Sequence, residues 1–359
     1  MKVAMLISGG VDSSVALRLL KDAGHDITAF YLKIWLEDEL SFLGECPWEE
    51  DLRYVRAVCE EVGAPLSVVP FQKEYHERIV SYVIAEAKAG RTPNPDVFCN
   101  TLIKFGAFVE EYGAEFDHVA TGHYAQTEVR DGKARLLRSA DEHKDQTYFL
   151  SRLRQDQLVK AMFPIGGYRK DEVRELARTY GLSSAERKDS QGICFLGKVP
   201  FDRFLEEKLG TREGDIVDTK TGETLGKHQG FWFYTIGQRK GIGLSGGPWY
   251  VTGKDTAKNI VYISNAYRSS ETARSEFHVD GLSWISDAPD VDDRLTVKLR
   301  HGVQEYPCTL SIQSAPMGSL RERCGHVTIA NGDTGIAAGQ IAAFYRGDEC
   351  LGSGIISEN

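Results

Sequence analysis

The sequence contains no CxxC pair, although it has seven cysteines. These cysteines are scattered along the chain at Cys46, Cys59, Cys99, Cys194, Cys308, Cys324 and Cys350. An odd number at such spacings suggests neither a secreted disulfide framework nor a four-sulfur zinc site. No apolar run approaches the roughly 20 residues that span a bilayer, and the apolar stretch after Met1 is too short for a signal peptide. We therefore expect a cytoplasmic protein without a membrane segment.

Positive charge is also in short supply. The chain has 43 Lys and Arg against 52 Asp and Glu, for a formal net charge of -9. A protein of this charge has no general positive field, so a nucleic-acid partner would have to meet local basic patches. With 359 residues, 42% of them hydrophobic, the chain has room for two or three domains of about 150 residues each.

The first third of the chain alternates between strand and helix patterns. VAMLIS (3–8) is typical of a buried strand, and Val11, Val15 and Leu19 then recur every four residues until Gly24 offers a helix end. Further strands are predicted at 26–34, 64–71 and 118–122, and further helices at 51–63 and 76–90. Such alternation predicts an α/β fold with a parallel sheet and helices on both of its faces.

The pattern changes after about residue 200. A segment rich in glycine and aromatic residues is followed, from about residue 275, by spaced strand patterns with little helical period. These patterns predict a small antiparallel barrel or sandwich. We expect three parts: an α/β catalytic domain over 1–200, a small central module over 201–270 that connects and contacts RNA, and a β-barrel domain over 271–359.

The stretch SGGVDSS (8–14) joins the first strand to the first helix without the lysine of a GxxxxGK[ST] loop. Its backbone amides, its hydroxyls and the helix N-terminus form an anion site in that position. A tight turn capped by Asp12 or Ser13 is the alternative. The loop resembles that of the PP-loop ATP pyrophosphatases, which cleave ATP at the α-phosphate, commonly with Mg²⁺. GMP synthetase, NAD synthetase, argininosuccinate synthetase and several tRNA-modifying enzymes resemble this loop equally well.

Two cysteines have distinctive surroundings. Cys99 lies in RTPNPDVFCNTLIKFG (91–106), where a helix is expected from Asn100 onward. A helix N-terminus favours the thiolate, so Cys99 is predicted to ionise readily. Cys194 lies in ERKDSQGICFLG (186–197), on an apolar turn close to Arg187 and Lys188. Considered alone, either could be a structural cysteine.

Further motifs favour a functional role for the two cysteines. They are ATGHYA (120–125), KDQTYFL (144–150), TIGQRKGIG (235–243) and AAGQIAAFY (337–345). In this order, and with the loop and the two cysteine segments, they resemble the tRNA-uridine 2-sulfurtransferases, which thiolate the wobble uridine of certain tRNAs. The resemblance spans nearly the whole chain, although it does not extend to residues 37–51 or to GKVPFDRFL (197–205).

The resemblance implies roles for particular residues. Those implied to bind ATP are Leu6, Ile7, Ser8, Gly9, Gly10, Val11, Asp12, Ser13, Leu32 and Gly122. Those implied to meet tRNA are Asn94, Pro95, Asp96, His123, Lys144, Asp145, Gln146, Arg300, His301 and Gln340. Catalysis would use Cys194 as the persulfide carrier, Cys99 as the partner nucleophile that closes a transient disulfide with it, and Asp96 as acid or base.

The implied cofactors are ATP and Mg²⁺, with no resident metal, and the implied partners are the tRNA anticodon loop and a persulfide donor protein, with the enzyme acting as a monomer. Alternatives stay open at several positions. Asp96 could merely cap a helix, His123 could be a packed histidine, and Lys144, Asp145 and Gln146 could form a solvated loop. Arg239 and Lys240 could meet phosphate or lie on a solvated turn.

Two functions other than thiolation are compatible with the PP-loop. Another PP-loop ligase or amidotransferase would leave Cys99 and Cys194 dispensable. A nucleotide- or RNA-binding protein that has lost catalysis would not be expected to keep Asp12 and both cysteines.

Overall fold

The computed structural model describes residues 1–34, 47–188, 200–265, 273–290, 293–313 and 324–357. Among these residues, no helix combines the length and the apolar character that crossing a lipid bilayer requires.

The first part of the chain is built on a parallel sheet. The strands of residues 1–188 are β1 (Lys2–Leu6), β2 (Asp26–Lys33), β3 (Leu66–Pro70), β4 (His118–Thr121), β5 (Gln126–Arg130), β6 (Lys133–Leu137) and β7 (Ala161–Met162). Five of them form one sheet in the order β3-β2-β1-β4-β7, and every neighbouring pair is parallel. Because β1 lies in the middle, the loop that follows it emerges at the centre of the carboxyl edge, where open α/β sheets bind ligands.

Helices cover both faces of this sheet. They are α1 (Val11–Asp22), α2 (Pro47–Val62), α3 (Gln72–Tyr75, His76–Val80 and Ser81–Lys88 in succession), α4 (Pro95–Cys99, Asn100–Ala107 and Phe108–Tyr112 in succession), α5 (Thr147–Leu150), α6 (Gln155–Lys160), α7 (Lys170–Thr179) and α8 (Phe201–Leu209). The middle segments of α3 and α4 are π-helical. The expected α/β fold with a parallel sheet is confirmed.

Side chains of β1 alternate between two cores, as the period of a strand requires. Val3 and Met5 pack with Val15 of α1, whereas Ala4 and Leu6 pack in the core that contains Ile103 of α4. All six are buried. The loop after β1 is therefore anchored by apolar burial on both sides of the sheet.

The central module has a small sheet of its own. Its strands are β8 (Gly214–Asp218), β9 (Thr224–His228), β10 (Tyr250–Asp255) and β11 (Ile260–Ser264), in the order β10-β11-β8-β9. Ile216, Val251, Val261 and Ile263 are fully buried and form its core with Phe231.

The C-terminal part is a closed antiparallel barrel. Its strands are β12 (Arg274–Trp284), β13 (Leu295–Lys298), β14 (Tyr306–Gln313), β15 (Cys324–Asp333), β16 (Ile341–Arg346) and β17 (Glu349–Ile356). They follow the order β12-β15-β14-β13-β16-β17, and β12 also pairs with β17, which closes the barrel. Of the two architectures left open by the sequence, the barrel is the one observed.

A hairpin from the first part joins the barrel sheet. Strands β5 and β6 pair with each other, and β6 pairs with β17 through Leu137 opposite Glu349 and Leu136 opposite Cys350. Arg135 of the hairpin donates to Glu349 at 3.1 Å, and both side chains are less than 10% exposed. Backbone pairing and a buried ion pair thus connect the first part of the chain to the C-terminal barrel.

Candidate active site

The loop Ser8–Ser13, named the phosphate loop for its predicted ligand, turns directly into α1. Gly10 is the N-cap residue, and no side chain caps the helix. The Ser13 and Ser14 hydroxyls both donate to the Gly10 carbonyl, at 3.0 and 2.9 Å, and the Ser8 amide donates to the Ser13 hydroxyl at 3.3 Å. Uncapped amides at the start of a 12-residue helix favour an anion.

Two glycines allow the backbone to pack closely here. Gly9 has φ +78°, and a Cβ at this position would lie 2.8 Å from the Asp51 carbonyl oxygen. A Cβ on Gly122, which follows β4, would lie 2.7 Å from the Ser13 nitrogen. The structure therefore brings Gly122 against the loop.

The apolar residues of the predicted nucleotide set have buried side chains. Leu6, Ile7 and Val11 are each less than 9% exposed and belong to the cores beside the sheet. Leu32 is partly buried and lies in β2 opposite Val69. Only the backbones of Leu6, Ile7 and Val11 are available to a ligand, whereas Leu32 keeps some exposed surface at the carboxyl end of its strand.

A lysine does reach the loop, from a distant part of the sequence. The ammonium of Lys170, the first residue of α7, lies 2.7 and 2.9 Å from the two carboxylate oxygens of Asp12. The Tyr124 hydroxyl donates to the same carboxylate at 2.9 Å. Sequence reasoning missed both residues. Tyr124 lies within the ATGHYA motif, but no spacing in the sequence links Lys170 to the loop.

An arginine approaches the loop from the other side. The Arg187 guanidinium is paired with the carboxylate of Asp51 in α2 and lies 4.6 Å from the centre of the Tyr54 ring. Its Nη1 is buried, has no hydrogen-bond partner among the described residues, and lies 2.8 Å from the Cβ position of Gly9. Arg187 was noticed in the sequence only as a neighbour of Cys194.

His123 links the loop to α4. Its Nδ1 is 2.7 Å from the Thr121 hydroxyl. Burial lowers the pKa of His123 well below 6.5, and the nearby Lys104 ammonium lowers it further. Lys104 also donates to the Asn100 side chain at 3.0 Å, next to Cys99. The rings of His123 and of Phe105 in α4 each lie 6.1 Å from the Phe163 ring, so the phosphate loop and the helix that carries Cys99 converge.

The position of Cys99 in its helix differs from the prediction. The helix begins at Pro95, not at Asn100, so Cys99 is its fifth residue and lies beyond the first turn. Since the dipole effect falls off within the first turn, it favours a Cys99 thiolate less than expected. Asn94 caps the helix and proline occupies the first position, which is a standard helix start. The Cys99 side chain is 3% exposed.

Asp96 is not the cap of this helix, because the Asn94 side chain accepts the bond from the Val97 amide. The alternative in which Asp96 serves as the helix cap is therefore excluded. The Asp96 side chain is partly buried. Pro95, by contrast, is buried.

Gln340 of the barrel holds the segment that precedes α4. Its side-chain amide donates to the carbonyls of Thr92 and Pro93 at 3.2 and 3.3 Å. Asn94 donates to the Gln340 side chain at 3.4 Å and to the Tyr148 hydroxyl at 3.1 Å. Asn94 and Gln340, far apart in the sequence, are therefore direct neighbours.

Two residues of the KDQ motif are engaged within the fold. The Asp145 carboxylate is 1% exposed and accepts bonds from Thr147 at 2.7 Å and from the Lys298 ammonium at 3.2 Å. Gln146 pairs with the backbone of Tyr124 through two bonds of 2.9 Å. Lys144 is only partly buried.

The barrel places Arg300 and His301 beside α5. The His301 ring lies 4.6 Å from the ring of Phe149, and burial lowers the pKa of His301. Arg300 is paired with Asp333 and keeps 48% of its side chain exposed. Both residues thus lie on a surface shared by the first domain and the barrel.

Cys194 lies in residues 189–199, outside the described part of the chain. Within the part described, no group of three or more His, Cys, Asp or Glu side chains could hold a metal. Asp12 is the one carboxylate of the loop, which suits Mg²⁺ held chiefly by substrate phosphates and only one protein carboxylate.

Comparison with known protein families shows the class of this protein. Family models match the chain in three consecutive parts: the tRNA methyl transferase HUP domain over 1–198, the tRNA methyl transferase PRC-barrel domain over 202–265, and the aminomethyltransferase beta-barrel domain over 274–356. The parallel sheet with its phosphate loop is therefore a HUP domain.

Curated relatives narrow the class to a family. The tRNA-specific 2-thiouridylase MnmA of Parabacteroides distasonis is 45% identical over 365 residues, covering 99% of each chain. That of Geobacillus thermodenitrificans is 42% identical, covering 99% of this chain and 95% of the relative. A solved 4-thiouridine synthetase in complex with RNA and ATP is 18% identical, with a TM-score of 0.34 over 55% of this chain and 46% of that chain. The chain belongs to the tRNA-specific 2-thiouridylase family, which confirms the resemblance noted in the sequence.

Proposed function

We propose that this enzyme replaces the C2 oxygen of the wobble uridine in a tRNA anticodon by sulfur, at the expense of ATP. One observation carries the proposal beyond family membership. The phosphate loop meets Gly122, His123 follows Gly122, and the rings of His123 and of Phe105 in the Cys99 helix both pack against Phe163. An ATP-binding loop and a cysteine helix that converge suit a reaction in which a base is first adenylated and then attacked by sulfur.

Adenylation solves the chemical difficulty of the substrate. A uridine C2 oxygen is a poor leaving group, whereas the same oxygen attached to AMP departs readily. The amides of the uncapped α1 terminus and the Ser8 hydroxyl bind the phosphates of ATP, and the Ser13 hydroxyl joins them when it turns from the Gly10 carbonyl. The C2 oxygen then attacks the α-phosphorus, the bond to pyrophosphate breaks, and Asp96 accepts the N3 proton of uridine.

Sulfur transfer completes the cycle. The terminal sulfur of a Cys194 persulfide attacks C2, a carbon–sulfur bond forms, and AMP leaves with the former uridine oxygen. The Cys99 thiolate attacks the Cys194 sulfur as the persulfide bond breaks, which leaves a Cys99–Cys194 disulfide. A thiol reductant must reopen that disulfide before the next turnover, and a separate protein supplies the next persulfide.

The tRNA meets the surface shared by the first domain and the barrel. Lys144, Arg300 and His301 are the contacts we favour, because they supply local positive or hydrogen-bonding groups on an acidic protein. Asp145 and Gln146, held by internal hydrogen bonds, keep Lys144 in position. A wobble base lies in a single-stranded loop, so its extrusion into the site costs less than opening a duplex.

We infer that the enzyme acts as a monomer in the cytoplasm, where tRNA is available. The closed barrel and the hairpin pairing with it are formed within one chain, which supports a functional single subunit.

Nucleoside analysis tests the proposal. Unmodified tRNA is incubated with the protein, ATP, Mg²⁺ and a persulfide donor, and its nucleosides are separated and weighed by mass spectrometry. We expect 2-thiouridine. A methylated uridine, or an unchanged tRNA with a validated donor, would contradict the proposal.

Matched cysteine variants test the roles of the thiols. Cys99→Ser and Cys194→Ser should each abolish thiolation while ATP still binds. Cys59→Ser is the control, because Cys59 is also 3% exposed but packs in the core around α1 and α2. Thiolation by Cys99→Ser at the level of Cys59→Ser would contradict the assignment.

A further inference from the structure

The phosphate loop lacks a lysine, yet two cations reach it from residues 170–187. Lys170 meets Asp12 in the first turn of α1, and Arg187 lies against Gly9. Neither residue takes part in the adenylation and sulfur-transfer steps proposed above.

Lys170 occupies an unusual electrostatic position. Its side chain is 13% exposed, and its ammonium lies beside the first turn of α1. A helix N-terminus repels a cation, so this arrangement is tolerated only because the Asp12 carboxylate lies there too. The preceding Arg169 is 64% exposed and pairs with Asp171, so only one of the two neighbouring cations is directed at the loop.

Arg187 has an unused donor in the same region. Its Nη2 side is satisfied by Asp51, but Nη1 is buried without a partner among the described residues. A buried donor without an acceptor is destabilising, and such cases point to a group that binds there. Nη1 packs directly against the Gly9 backbone, where a Cβ would lie 2.8 Å away, so this unpartnered donor lies at the edge of the phosphate loop.

We propose that Lys170 and Arg187 are the phosphate-binding cations of this ATP site, in place of a lysine within the loop. The Lys170 ammonium moves from Asp12 to the pyrophosphate portion of ATP. The Arg187 guanidinium shifts away from its close contact with Gly9, so that Nη1 donates to a phosphate oxygen. The inference rests on the proposed function only for the identity of the ligand as ATP.

Calorimetric titration of the full-length protein tests this assignment. Lys170→Ala and Arg187→Ala should each weaken binding of ATP and of inorganic pyrophosphate by about tenfold or more, the loss expected for a charge-assisted hydrogen bond. AMP, which lacks the pyrophosphate portion, should bind with less than about a twofold change. Lys170→Arg should retain most of the affinity and shows that the site still folds.

Neighbouring cations provide the controls. Arg169→Ala and Lys188→Ala remove the same charge one residue away and should leave pyrophosphate affinity unchanged. Equal losses in these controls, or unchanged affinity in Lys170→Ala and Arg187→Ala, would overturn the assignment.

A double variant separates direct contact from charge balance. Removal of Lys170 alone could weaken binding only because Asp12 then repels phosphate. In the double variant Asp12→Asn/Lys170→Met, measured without Mg²⁺, the affinity for pyrophosphate should remain well below that of the wild type if Lys170 contacts the ligand. An affinity restored to the wild-type value would overturn the role of Lys170. These binding data stand apart from the proposed function: a protein that binds pyrophosphate in this way yet makes no 2-thiouridine would contradict the function alone.

Discussion

The contact between Gly122 and the phosphate loop makes Gly122→Ala a sensitive test of the site. The added methyl group would lie 2.7 Å from the Ser13 nitrogen and 2.9 Å from the Asp12 carbonyl carbon, both backbone atoms. Since backbone cannot rotate away as a side chain can, either β4 or the start of α1 must shift. Overpacking of this kind costs about 1–3 kcal/mol. The smaller flexibility of alanine in the unfolded chain offsets only about 0.4–1 kcal/mol of it.

If the start of α1 shifts instead of β4, the overpacking destabilises the conformation of the loop that binds ATP. We expect ATP affinity to fall by about 5- to 150-fold, the equivalent of 1–3 kcal/mol, in a calorimetric titration. Gly167→Ala is the matched control, because no atom lies within 4 Å of its Cβ position, and its affinity should equal that of the wild type. Wild-type affinity in Gly122→Ala would refute the close packing of β4 against the loop.

Three further predictions concern stability. Asn94→Ala removes the cap of α4 and should lower the free energy of unfolding in urea by about 1 kcal/mol; an unchanged value would contradict the capping role. Lys298→Met leaves the Asp145 carboxylate, 1% exposed, without its ammonium and should cost about 3–5 kcal/mol, whereas Lys227→Met, whose partner is Asp215 and whose side chain is 57% exposed, should cost less than about 1 kcal/mol. Equal losses would show that burial does not govern these pairs. Burial keeps His123 neutral in the folded protein below pH 6.5, where the unfolded chain binds a proton. His123 therefore makes the free energy of unfolding decrease as the pH is lowered through that window, by at most about 1.4 kcal/mol per pH unit. Burial also lowers the pKa values of His228 and His301, so His123→Gln should make the slope shallower without abolishing it, and an unaltered slope would contradict the assignment.

Local sequence patterns predicted the central strand, the loop and α1, because burial on both faces and a four-residue helical period leave direct traces in the sequence. The start of α4 was wrongly predicted, although Asn94-Pro95 carries the signal. The apolar residues after Asn100 dominated the interpretation, whereas the cap marks the true first turn.

Contacts between distant segments left no such trace. The hairpin 126–137 pairs with β17 more than two hundred residues later, and its strand pattern alone does not reveal its partner. Lys170 likewise reaches the loop only because α1 and α7 pack together, and Arg187 lies beside it through its ion pair with Asp51 of α2. A motif search locates the loop but not the side chains that the fold brings to it.

The fate of the uridine oxygen tests the central claim most directly. A tRNA anticodon with ¹⁸O at C2 of the wobble uridine is converted with ATP and a persulfide donor, and the nucleotide products are weighed. Activation through AMP predicts one ¹⁸O in AMP, with AMP, pyrophosphate and 2-thiouridine formed in equal amounts. Unlabelled AMP, or ADP and orthophosphate in place of AMP and pyrophosphate, would contradict it.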